Sequence, residues 1–217
     1  MNKRNYQKEL DKLLEGLKGQ EGKKLFLHSC CAPCSSYVLE YLSPFFQITV
    51  FYYNPNITAS SEYYKRVEEQ KRLISLLNKK EGHFPIDIVD GDYKPELFLE
   101  MTKGLEDCPE GGERCFACYR MRLEETAKQA VEAGADYFAT TLTISPLKNA
   151  EKLNALGEEL ADSYGVAWLP SDFKKREGYK RSIELSAEYD LYRQDYCGCA
   201  FSKAQREREK SLSESKN

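Results

Sequence analysis

Short apolar strands alternate with helical segments along most of this chain, and that alternation restricts its fold more than any other feature. Residues 24–28 (Lys-Leu-Phe-Leu-His), 47–53, 85–89, 137–143 and 166–169 read as strands, several of them rich in β-branched and aromatic residues. Leu10, Leu13, Leu14 and Leu17 fall at helical spacing before Gly19, and Ser35 or Ser36 is placed to cap a helix carrying Val38, Leu39 and Leu42. Further helices are expected over 60–79, after Pro95, up to Ala133, and over 149–164 with Gly165 as the stop. Strands lacking a polar face belong in a mainly parallel sheet with helices on both sides. The expectation is therefore an α/β chain with about five strands, whose ligands gather at the carboxyl ends of the strands.

At 217 residues the chain suits a single domain over 1–217, with a core of about 20–200 and a charged tail at 203–217 to which no chemistry is assigned. With 41% apolar and 31% charged residues it is too apolar for a disordered protein. No apolar run approaches the roughly 20 residues that cross a bilayer, and the first residues lead into a charged helix, so a cytoplasmic location without a membrane partner is expected. A formal charge of −3 supplies no overall basic field; a nucleic-acid partner would have to be held by local patches and by shape.

Eight cysteines are the outlying feature of the composition. Seven stand in three groups: Cys30-Cys31-Ala-Pro-Cys34, Cys115-Phe-Ala-Cys118 and Cys197-Gly-Cys199, with Cys108 apart as a candidate small core residue. Reduced cysteines in clusters are more often metal ligands than disulfides. The first group follows the first strand and precedes a helix, whose amide groups and dipole favour thiolates. The spacing of Cys115 and Cys118 suits zinc and iron-sulfur centres alike, and spacing does not choose between them. On extended backbone Cys30 and Cys31 point apart, so they are expected to serve different irons or different centres. Seven thiols exceed the four that one cubane or one structural zinc takes, which implies a second metal or catalytic thiols.

The loop after the first strand, Ser29-Cys-Cys-Ala-Pro-Cys-Ser, has no glycine and gives up one amide to Pro33. That speaks against a phosphate cradle and against ATP-dependent tRNA sulfur transfer. A zinc-stabilised RNA-binding module without redox chemistry stays open at this point.

Several strings resemble the cobalamin-independent epoxyqueuosine reductases: Leu27-His-Ser-Cys-Cys-Ala-Pro-Cys-Ser, Phe51-Tyr-Tyr-Asn-Pro-Asn-Ile, Pro109-Glu-Gly-Gly-Glu-Arg-Cys-Phe-Ala-Cys-Tyr-Arg-Met-Arg-Leu and Tyr192-Arg-Gln-Asp-Tyr-Cys-Gly-Cys. Thr141-Leu-Thr-Ile-Ser-Pro-Leu-Lys-Asn and Asp172-Phe-Lys-Lys extend the likeness over about 24–200. The resemblance implies a Rossmann-like fold akin to the adenine nucleotide alpha hydrolases, a 4Fe-4S cluster and a neighbouring mononuclear metal, iron. It also implies the reaction, in which epoxyqueuosine at the wobble base of a tRNA loses its epoxide oxygen by two electrons and two protons, with an external electron donor.

Under this resemblance Cys115 and Cys118 are cluster ligands, joined by one of Cys30/Cys31 and one of Cys197/Cys199. The remaining thiolates hold the second metal with Cys34, where some members of the family carry aspartate. Candidate proton donors near the strand ends are His28, Tyr53 and Lys148. Lys174, Lys175, Arg176, Lys180 and Arg181 form the densest positive stretch and are the candidate contact with tRNA phosphates, while unstacked bases meet aromatic faces.

Overall fold

The computed structural model describes residues 4–20 and 22–214. Its frame is a parallel sheet of five strands in the order β3-β2-β1-β4-β5. The strands are β1 (Lys23–His28), β2 (Phe46–Tyr52), β3 (Ile86–Asp90), β4 (Tyr137–Thr140) and β5 (Ala167–Trp168). Leu25 pairs with Ile48 on one side and Tyr137 on the other, which puts β1 at the centre. The chain order reverses between β1 and β4, the switch point at which such sheets bind ligands.

Period-two alternation sends neighbouring residues of β1 to opposite faces. Leu25 and Leu27 pack with the buried leucines of α1 (Tyr6–Leu17), α2 (Ala32–Leu42) and α3 (Ser60–Leu77). Phe26 packs instead with Leu123 and Ala127 of α5 (Glu113–Glu132) and Leu153 and Leu156 of α6 (Ala150–Tyr164). Local chemistry ends these helices as expected. Asn5 and Asn149 accept from the amides of Lys8 and Lys152 at two helix starts, and Gly165 closes α6 at φ 73°. The short helix α4 (Pro95–Met101) begins at its proline.

Two local expectations are corrected. Helix α2 starts at Ala32 with Cys31 as its N-cap, so Ser35 and Ser36 lie inside it; Pro33 needs no amide partner in a first turn and favours the earlier start. Strand β4 stops at Thr140, and Thr141–Ile144 coil into a 3₁₀ turn whose Leu142 amide is met by the Thr140 hydroxyl. Much of the tail is helical: α8 (Ala200–Glu214) borders the main cavity. Helix α7 (Gly178–Glu188) was not foreseen because its buried face is Gly178, Ser182, Leu185 and Ser186, mostly small or polar residues with little apolar period. Gly178 is required there, since a Cβ would stand 2.4 Å from the Tyr37 ring.

No helix among the described residues is long and apolar enough to cross a membrane.

Candidate metal centre

The burial of β1 changes along its length, from exposed Lys23 and Lys24 to fully buried His28. The chain therefore leaves the sheet at its dry end, and Cys30 follows in a bend. Cys31 is the N-cap residue of α2 and Cys34 lies in its first turn, at the positive end of the helix dipole. The sulfurs of Cys30, Cys31 and Cys34 all lie within 4.8 Å of one another. This corrects the expectation that Cys30 and Cys31 point apart. Their sulfurs are 3.8 Å apart, because the bend at Cys30 removes the alternation of an extended strand.

A tetrahedral ion with metal–sulfur bonds of about 2.3 Å sets its thiolates about 3.8 Å apart. The three thiols thus have the donor set and spacing to bind a metal ion. The Cys30 thiol is held well below its ordinary range by hydrogen bonds from Cys31 and Cys34. Those bonds push Cys31 up to about 12 and Cys34 well above the usual thiol value. Thr141 of the 3₁₀ turn places its hydroxyl 3.6 Å from the Cys30 sulfur, joining the ends of β1 and β4 across the switch point.

The other two groups arrive from elsewhere. Cys115 lies in the first turn of α5 and accepts from the Gly111 amide at 3.2 Å, while Cys118 is buried one turn further on. Gly198, between Cys197 and Cys199, turns at φ 111°, where a Cβ would strike Ile57 at 2.8 Å. Cys115, Cys118, Cys197 and Cys199 line one small cavity. Cys30, Cys31, Cys34 and Cys197 line a larger one of about 790 Å³. Cys197, Glu110 and Lys148 border both, so the two cavities adjoin and seven thiols from three distant stretches meet. Cys108 borders neither.

Cations and donors that sequence reasoning did not single out complete the site. Arg122, 1% exposed, donates Nε to His28 Nε2 at 3.2 Å and Nη2 to Asn54 Oδ1 at 2.6 Å, with Nη1 4.0 Å from the Cys118 sulfur. Burial opposes its charge, but Cys118, Cys197 and Cys30, one thiol from each group, more than offset that opposition. Arg66 is paired with Glu62 and donates to the Cys197 carbonyl at 3.3 Å. The hydroxyl of Tyr119 and Oδ1 of Asn56, both facing the four-thiol cavity, have no hydrogen-bond partner within the protein. Two buried groups left in that state point to a ligand in the cavity.

The candidate proton donors part company. His28 is fully buried, and desolvation lowers it to about 3, so the ring is neutral. Its Nε2 lies 3.2 Å from Arg122 Nε and 3.1 Å from the Tyr53 carbonyl oxygen, and its Nδ1 lies 2.8 Å from Thr140 Oγ1, so both ring nitrogens are engaged within the protein. Tyr53 stacks on Phe51 at 5.7 Å and borders neither cavity. Lys148 borders both, 3.2 Å from Glu110 Oε1; burial disfavours its charge, but Cys197, Tyr119 and Glu110 raise it. Glu110 also accepts from Ser202, whose hydroxyl takes the Cys197 amide at 3.1 Å.

The basic stretch lies beside the larger cavity, which Tyr179 and Ser182 border. Lys174 meets Asp172, Arg176 meets Asp11, Lys180 meets Glu177, and Arg181 meets Glu40. Lys175 is exposed.

Compared with known proteins, residues 25–205 match the family model described as "Epoxyqueuosine reductase QueH". The chain belongs to that family. Its members include the epoxyqueuosine reductase QueH of Staphylococcus epidermidis, 46% identical over 91% of this chain and 84% of that protein. The family protein of Streptococcus pyogenes serotype M1 is 47% identical over 82% of this chain and 69% of its own. The member from Thermotoga maritima is 35% identical over 84% of this chain and 91% of its own. The family match takes in all eight cysteines, together with Arg122, Glu110 and Lys148.

Proposed function

We propose that this protein removes the epoxide oxygen of epoxyqueuosine at the wobble position of a tRNA, giving queuosine. The observation that carries the reading is the meeting of seven thiols around two adjoining cavities at the sheet switch point, in a chain of this family. Seven thiols exceed the four that a single cubane or tetrahedral ion takes, which suits two centres better than one. Among the described residues, no three of the four thiols around the smaller cavity share the spacing of Cys30, Cys31 and Cys34.

In this reading Cys115 and Cys118 hold a 4Fe-4S cluster with one of Cys30/Cys31 and one of Cys197/Cys199. The remaining thiolates and Cys34 hold a mononuclear iron. When bound, such centres supply a Lewis acid toward an epoxide oxygen and single-electron transfer.

The protein's own side chains do the rest. The larger cavity, at about 790 Å³, has the size of a small-molecule site and accepts a modified base turned out of its loop. Lys148, charged and held by Glu110 at the wall common to both cavities, is the proton source for the departing oxygen. Two electrons from an external donor and two protons release that oxygen as water and leave a carbon–carbon double bond. His28, engaged at both nitrogens, positions Arg122 and holds no proton for substrate. Tyr179 and Leu147, exposed at the cavity, offer faces to the base, and the neighbouring basic stretch contacts phosphates. The surface ion pairs of that stretch are each worth about 1 kcal/mol or less and exchange readily for phosphate.

The test is anaerobic incubation of reduced, iron-reconstituted protein with epoxyqueuosine-containing tRNA, followed by mass spectrometry of the nucleosides. Loss of one oxygen from the modified nucleoside is expected. Colourless protein that binds only zinc and leaves the nucleoside intact would overturn the reading.

A further inference from the structure

Arg122 is the feature of the site that the proposed reaction leaves without a task. A guanidinium with 1% exposure needs a counter-charge, because an unpaired buried ion costs several kcal/mol. The other buried cations at the site are provided for: Arg66 has Glu62, Lys148 has Glu110, and Arg114 donates to the carbonyls of Leu105 and Glu106. Among the described residues no carboxylate lies in ion-pair range of Arg122, whose partners are a neutral imidazole, the carboxamide of Asn54 and the sulfur of Cys118. His28 and Asn54 hold the guanidinium through Nε and Nη2, leaving Nη1 for the thiol side.

Resting on the proposed function, we infer that Arg122 is the built-in counter-charge of the thiolate-bound cluster and raises its reduction potential. A fixed positive charge favours the more negative, reduced form, and the low dielectric of the site leaves that preference poorly screened. Arg122 is thus a tuning and positioning residue rather than one that touches substrate.

The experiment is a midpoint-potential titration of reconstituted holoprotein, followed by electron paramagnetic resonance, with iron and sulfide measured alongside. Arg122→Gln removes the charge and Asn54→Asp neutralises it in place, 2.6 Å from Nη2. Both are expected to lower the potential, making the reduced fraction at a fixed potential roughly tenfold smaller or less. Arg122→Lys should shift it less, and Arg120→Gln, on the exposed face of the same helix, should leave it unchanged. If Arg122→Gln does not accumulate, Asn54→Asp decides. An unchanged potential in a neutralised variant that keeps its iron overturns the inference and spares the proposed function. Wild-type protein without a cluster overturns both.

Discussion

The two ends of the parallel sheet are built on opposite principles. At the amino end, Asp136 accepts the Lys24 amide at 2.9 Å and meets the Lys23 ammonium at 3.1 Å in partly exposed surroundings. At the carboxyl end, His28, Ser29, Asn54, Arg122, Thr140 and Thr141 are essentially sealed from solvent. Water compensates errors at the first end and cannot at the second, so each buried polar group there needs a protein partner or a ligand. One end serves stability in small increments; the other gathers thiols that could hold a metal ion.

The sharpest way to break this contrast is at the thiols. Cys115→Ser or Cys118→Ser should abolish the brown colour and cut activity by about 10²-fold or more, read by visible absorption, iron content and the tRNA assay. A variant with full colour would show that the carboxyl end is not organised around a cluster. Next comes Lys148→Met, expected to slow turnover by about 10²- to 10⁴-fold while iron content stays at the wild-type level. Equal losses of rate and iron would make Lys148 a structural element of the centre instead.

Away from the thiols the expected effects fall on stability alone. In Gly157→Ala the new methyl would stand 2.2 Å from the Trp168 indole, so α6 must shift. The change should cost about 1–3 kcal/mol, lowering Tm by roughly 2–10 °C with metal content preserved. The smallest effect belongs to Asp136→Asn. The Lys24 amide first, and then Lys23, hold the Asp136 carboxyl below its ordinary value of 3.8. A depressed carboxyl contributes stability above its unfolded value and loses it as pH falls through the folded one. Replacing it should therefore flatten the acid limb of the stability profile below about pH 4 and cost about 1 kcal/mol or less at neutral pH, measured by urea unfolding. A larger loss would mean that the amino end is as unforgiving as the other.

The same contrast separates what could be read from the residues alone and what could not. Strand segments, the start of α6 at Asn149 and its stop at Gly165, and the cysteine groups are local patterns, and each was legible. The start of α2 and the end of β4 were each misplaced by a few residues, because Pro33 and the Thr140 hydroxyl stabilise alternatives that periodicity does not register. Helix α7 escaped notice because small and polar residues make up its buried face. His28 and Lys148 looked equivalent as proton donors until burial and partners separated them.

By itself, then, the sequence determined the βα alternation, the parallel sheet it implies and the supply of thiols in three groups, because periodicity and spacing act over a few residues. Only the tertiary structure decided that those groups meet at a switch point, that Cys30, Cys31 and Cys34 share one spacing, and that Arg122 lies among them with no carboxylate in ion-pair range among the described residues. The physical reason is that desolvation and counter-charge depend on what the whole fold brings together, and residues 94 positions apart, such as His28 and Arg122, have no local pattern to announce their contact.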